Sequence, residues 1–152
     1  MLTIRKVFQK KNNDLWSIGP KETAYQALDI MASRDISALL VVDRGELVGI
    51  FTERDYARKV ILKGKSSKET TVEDLMTSKV YTVTPESTVE ECMALMKAVK
   101  CRHMPVFENK KLVAMVTMRD IMNEILSEKD IAIRDLEHYI HGTDYLEASD
   151  NP

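Results

Sequence analysis

Displacing the chain against itself by 65 residues, without a gap, superimposes one stretch on another, and this internal repeat limits the fold more than any other feature. Pro20 falls on Pro85, Thr23 on Thr88, Met31 on Met96 and Val41 on Val106; Leu47-Val48 falls on Leu112-Val113, and Thr52, Arg54 and Asp55 on Thr117, Arg119 and Asp120. Nine identities in the 36 positions from Pro20 to Asp55, with polarity kept between them, require two copies of one supersecondary unit.

Each copy reads alike. After the proline, Ala24, Ala27, Leu28 and Met31, or Val89, Cys92, Met93 and Met96, recur at helical spacing. Two apolar runs around a polar turn follow, Ala38 to Val42 and Leu47 to Phe51 in one copy, Met104 to Phe107 and Leu112 to Val116 in the other, which predicts a hairpin. A second helix closes the copy, over Arg54 to Leu62 or Arg119 to Leu126, and Gly64 with Ser66-Ser67 marks a linker. The lead-ins match too, Thr3 to Phe8 with Thr71 to Met76. The predicted fold is α+β: a tandem pair of β-α-β-β-α motifs with pseudo-two-fold symmetry and sheets meeting in a shared core. Residues 1–63 hold the first motif with a lead-in helix, 64–70 the linker, 71–127 the second motif, and 128–152 a C-terminal helix and tail.

Composition narrows the functional classes. The 22 basic residues face 24 acidic ones, so no long-range attraction draws the chain to nucleic acid or anionic lipid. No apolar stretch outlasts Ala38 to Val42, far short of the roughly 20 residues of a membrane span. The start of the chain has no apolar core followed by a cleavage signal, and a cytoplasmic protein is expected. Cys92 and Cys101 lack metal or redox spacing and read as reduced thiols. Gly64-Lys65-Ser66 resembles the end of a phosphate loop, but Lys59 stands where that loop needs its first glycine. His138 and His141 share a helix face without a third ligand, so no metal is expected. No nucleophile stands in a recognisable catalytic motif, and no enzymatic activity is expected.

The segments Gly49-Ile50-Phe51-Thr52-Glu53-Arg54-Asp55 and Ala114-Met115-Val116-Thr117-Met118-Arg119-Asp120, supported by Val72 to Thr77 and Arg102-His103-Met104-Pro105-Val106, resemble the CBS-pair family, in particular its stand-alone members. The resemblance covers Thr3 to about Leu126. It implies a regulatory module whose binding of AMP, ATP or an NAD-type dinucleotide reports energy or redox state to a target protein, and which pairs into a homodimer through exposed helices, with Met93, Met96, Ile133 and Leu136 as contributors. By the same resemblance, Asp55 and Asp120 accept from ribose hydroxyls, and Thr52 and Thr117 stand near phosphate or ribose. Arg54, Arg119, Arg102 and His103 face phosphates, with Pro105 in the hairpin that Arg102-His103 opens. The backbone at Ser17-Ile18 and Thr82-Val83 flanks adenine. Ala114, standing where the first copy has Gly49, would crowd the second pocket.

Other readings stand beside these. Thr-x-x-Asp ahead of a helix is also a capping box, the arginines also suit surface ion pairs, and the whole could be an interaction module with vestigial pockets. Ser37-Ala38 opposite Arg102-His103 makes the two pockets chemically unequal in either case.

Overall fold

A computed structural model describes residues 1–11 and 14–128. The expected C-terminal helix, with Ile133, Leu136, His138, Ile140 and His141, lies outside them. The elements are α1 (Ile4–Gln9), β1 (Ser17–Ile18), α2 (Ala24–Arg34), β2 (Ala38–Asp43), β3 (Glu46–Thr52), α3 (Glu53–Tyr56), a π-helical segment (Ala57–Ile61), α4 (Val72–Leu75), α5 (Val89–Val99), β4 (His103–Glu108), β5 (Lys111–Thr117) and α6 (Met118–Glu128). This is the α+β fold of two repeats, and α2, β2 and β3 recur as α5, β4 and β5 at the 65-residue offset.

The offset holds in detail. Thr23 and Thr88 each complete a capping box, with Gln26 and Glu91. Both helices end on a left-handed residue, Asp35 (φ 53°) and Lys100 (φ 55°), so that the next amides, of Ile36 and Cys101, reach back to the carbonyls of Met31 and Met96 at 3.0 Å. Both hairpins turn on two residues of positive φ, Arg44-Gly45 and Asn109-Lys110, the geometry that suits the twist of paired strands. Each ladder shifts register at the same place, after Val41 and after Val106.

The copies also diverge. β1 pairs parallel with β2, but its second-copy counterpart is a single bridge from Val83 to Val106, not the expected strand. The helix expected from Arg54 to Leu62 is α-helical only to Tyr56 and then widens into the π-helical segment, whereas α6 runs unbroken.

The lead-in helices are exchanged. α1 buries Ile4, Val7 and Phe8 in the second copy's core, with Val89, Cys92, Met96, Met104, Val106, Ala114, Val116 and Ile121. α4 buries Val72 and Leu75 in the first copy's core, with Ala24, Ala27, Met31, Leu39, Val41, Phe51 and Val60. The first amides of a helix lack internal partners. Here those of Ile4 and Arg5 donate to the carbonyls of Ser87 and Pro85, and those of Val72 and Glu73 donate to those of Glu22 and Pro20, at 2.8–2.9 Å. Arg5 adds ion pairs to Glu86 (2.6 Å) and Glu108 (2.7 Å). The packing units therefore cross the sequence repeats, because each apolar lead-in stripe finds its groove on the other copy.

Most apolar burial lies in these two sheet–helix cores. Side-chain alternation sends Leu39, Val41 and Phe51 to the first of them, and Ala38, Leu40 and Ile50 to a smaller layer between the sheets, against Leu112, Met115 and Val80. The shared core expected between the sheets is thus real but minor. Met96, expected on a dimer face, is 2% exposed and belongs to the second core. Gly49 and Ala114 differ for packing reasons too: a Cβ at Gly49 would stand 2.5 Å from Met76 Sδ and 3.1 Å from the Thr77 carbonyl, so its smallness admits the chain leaving α4 rather than a pocket. Ala114 is buried in the second core.

Candidate functional site

Two clefts lie where the two copies meet. The first, about 1050 Å³, is lined by Thr117, Arg119 and Asp120 from the β5–α6 junction and by Leu15, Trp16, Asp35 and Ile36 from the first copy. The second, about 910 Å³, is lined by Thr52, Arg54 and Asp55 from the β3–α3 junction and by Val80, Tyr81, Lys100 and Cys101 from the second copy. These sets correspond at the 65-residue offset, so each cleft joins the Thr-x-x-Asp segment of one copy to an aromatic residue and helix end of the other. Volumes of this size suit a small-molecule ligand.

At each junction the strand stops and a helix begins, and the Thr and Asp bond reciprocally. The Asp55 amide donates to Thr52 Oγ1 (3.1 Å), while Asp55 Oδ2 accepts from the Thr52 amide (3.1 Å) and hydroxyl (3.1 Å). In the second copy the Asp120 amide donates to Thr117 Oγ1 (3.1 Å) and Asp120 Oδ2 accepts from the Thr117 amide (2.8 Å). The capping box is therefore formed in both. Each carboxylate also meets a lysine, Lys59 Nζ at 3.3 Å from Asp55 Oδ1 and Lys11 Nζ at 2.7 Å from Asp120 Oδ2. Lys11 arrives on the segment after the exchanged helix α1 and also donates to the Met115 carbonyl (2.9 Å). A polar ligand hydroxyl reaching either aspartate would meet a carboxylate already held in orientation by its threonine.

Arg102 and His103 open β4 and border both clefts, as does Ser37, whose hydroxyl lies 3.1 Å from His103 Nε2. Burial, reinforced by the nearby positive charges of Lys11 and Arg102, pulls His103 below the ordinary imidazole pKa, against the opposing pull of Asp120. Arg54 donates to the Lys100 carbonyl at the end of α5 (3.3 Å).

Of the residues expected from sequence, Thr52, Arg54, Asp55, Thr117, Arg119, Asp120, Arg102 and His103 line the clefts. Ser17, Ile18, Thr82, Val83 and Pro105 are not among the lining residues. Ile18, Val83 and Pro105 are buried, and the clefts are walled instead by the residues just before them, Leu15-Trp16 and Val80-Tyr81. Sequence reasoning missed Trp16 and Tyr81. The chain's single Trp aligns with a Tyr at the repeat offset, but a search for identities passes over an aromatic pair that differs in type. Arg34 stacks on Trp16, 4.0 Å from its ring centroid. It also missed Lys11, Lys59, Lys79 and Lys100, which carry no motif and gather only on folding. Among the described residues no cluster of His, Cys, Asp or Glu has metal-site geometry, and no helix is long and apolar enough to cross a membrane.

A family model described as the CBS domain matches residues 5–61 and 72–127. The chain is 42% identical over 126 residues to the mitochondrial CBS domain-containing protein CBSX3 of Arabidopsis thaliana, covering 80% of this chain and 61% of that one. It thus spans about three fifths of the length of that curated relative. Among solved structures, a CBS-domain protein of Burkholderia ambifaria named for signal transduction superposes with a TM-score of 0.80 at 39% identity, covering 82% of this chain and 94% of that one. A hexameric CBS-CP12 protein from bloom-forming cyanobacteria superposes with a TM-score of 0.72 at 27% identity, over 80% of this chain and 70% of the other.

Proposed function

The chain belongs to the CBS domain family, whose paired domains are regulatory and nucleotide-binding modules, and from that premise we infer that it binds an adenine nucleotide, AMP, ATP or NAD, in the two clefts and signals occupancy to a partner protein without catalysing a reaction. The observation that carries this reading is the duplicated construction of the clefts. Each is lined by an oriented aspartate (Asp55 or Asp120) from one copy and an aromatic side chain (Tyr81 or Trp16) from the other, together with apolar and cationic groups. A carboxylate is an acceptor for ribose hydroxyls, an aromatic face suits a purine, and arginine suits phosphate.

The reading includes a homodimer, an inference supported by the oligomeric cyanobacterial relative, and a cytoplasmic location in keeping with two free thiols. The mitochondrial relative makes an organelle the competing location, which cell fractionation would separate.

One observation favours the other reading, a structural or interaction module with vestigial pockets: both aspartates already bond a threonine and a lysine. Thermal unfolding with millimolar AMP, ATP and NAD distinguishes the two. Ligand at about 100 times its Kd adds about 2.7 kcal/mol, or about 5–10 °C in Tm for this chain length. Asp55→Ala and Asp120→Ala should each reduce that shift. An unmoved melting curve with every nucleotide, or aspartate variants that respond as the native protein does, defeats the sensing reading. Light scattering that yields only 17.4 kDa at high micromolar concentration defeats the dimer.

A further inference from the structure

The two clefts share a plan but not a charge. Six cationic side chains and two carboxylates line the cleft beside Asp55, whereas three of each line the cleft beside Asp120. The difference falls at corresponding positions. Lys100, at the end of α5, faces the Asp55 cleft, and its counterpart Asp35, at the end of α2, faces the other. Lys79 stands two residues before Tyr81 as Asp14 stands two before Trp16, and Arg58 corresponds to Asn123. The carboxylate, the threonine and the aromatic wall are retained, so the features suited to a nucleoside are common to both clefts while the charge suited to phosphate is not.

We propose that the clefts discriminate by phosphate count: the Asp55 cleft selects an adenosine polyphosphate, and the Asp120 cleft takes an adenosine ligand with little gain from added phosphate. This rests on the nucleotide reading above and assigns ligand classes within it. Each added phosphate brings negative charge into a surplus of cations in one cleft and into a balanced set in the other. Attraction in the partly solvated Asp55 cleft is screened but summed over several groups. Lys59 is already paired with Asp55, so the preference leans on Lys79, Lys100 and Arg58.

The experiment isolates each cleft with the aspartate variant of the other. Calorimetric titration of Asp120→Ala, at low salt and without divalent cations, should find ATP bound about tenfold or more tighter than AMP. Asp55→Ala should bind the two within about threefold of each other. Added Asp120→Ala/Lys100→Asp/Arg58→Asn substitutions should collapse the ATP preference and leave adenosine affinity within about threefold. These replacements transplant what the other copy already carries, and Asp tolerates the left-handed backbone at residue 100 as it does at Asp35. Raising the salt concentration should weaken ATP binding at the Asp55 cleft more than at the other. Equal ATP-to-AMP ratios in both single-cleft proteins, or a preference that survives the transplant, overturn the assignment and leave the nucleotide reading standing. Absence of any heat from adenosine, AMP or ATP with the native protein overturns both.

Discussion

Replacing Ile4 with alanine tests the exchange of lead-in helices on which both cores depend. Ile4 is 0% exposed, and every buried member of its cluster outside α1 comes from the second copy. Removing most of a buried isoleucine side chain costs about 2–5 kcal/mol, the upper half applying where the surroundings cannot collapse. α1 is pinned by amides donating to Ser87 and Pro85 and by the Arg5 ion pairs, which restrict such collapse. At about 2–4 °C per kcal/mol for a chain of this length, a loss of about 3.5–5 kcal/mol should lower Tm by about 7–20 °C. Double-mutant cycles by urea unfolding then locate the helix. Ile4→Ala combined with Val89→Ala, in the same cluster, should depart from additivity by about 0.5 kcal/mol or more, whereas combination with Leu39→Ala, in the other core, should be additive within about 0.5 kcal/mol. Coupling to Leu39 and not to Val89 would mean that α1 packs on its own copy, and a total loss below about 1 kcal/mol would mean that it is not packed at all.

Gly49→Ala should destabilise by about 1–3 kcal/mol in urea unfolding, since the added methyl meets Met76 and the Thr77 backbone. Lys110→Gly should raise stability by about 1 kcal/mol in the same assay, because Lys110 holds a φ of 64° that glycine adopts freely. His103 has a folded pKa below its ordinary 6.5, so the unfolded chain takes up the proton first; its contribution is present above pH 6.5 and is lost as pH falls through the lowered value. Stability measured at pH 7.5 and at lower pH should therefore fall more in the native protein than in His103→Gln. Burial pushes the Cys92 thiol up to about 11, and it is 0% exposed, whereas Cys101 is partly exposed in the Asp55 cleft. A chromogenic disulfide reagent should react promptly with one thiol in the folded protein and with the second only after denaturant is added.

The period-65 repeat and the spacing of apolar residues were enough to locate α2 and α5 and to place the strands of both hairpins within a residue, because helical and alternating periodicity are properties of a short stretch of chain. The Thr-x-x-Asp pairs were legible for the same reason: donor and acceptor lie three residues apart on one helix start. What lies across the axis was not legible. The exchange of α1 and α4, the buried role of Met96 and the space that Gly49 leaves for Met76 all depend on which apolar stripe meets which groove. A periodic pattern shows that a stripe must be buried without naming its partner. The clefts follow the same rule, for Trp16 comes to line one cleft with Asp120, and Tyr81 the other with Asp55, only when the two copies pack together. Sequence alone thus determined the repeated unit and its local caps, while tertiary structure decided that each cleft is built from both copies, because side chains distant along the chain gather only when the cores close.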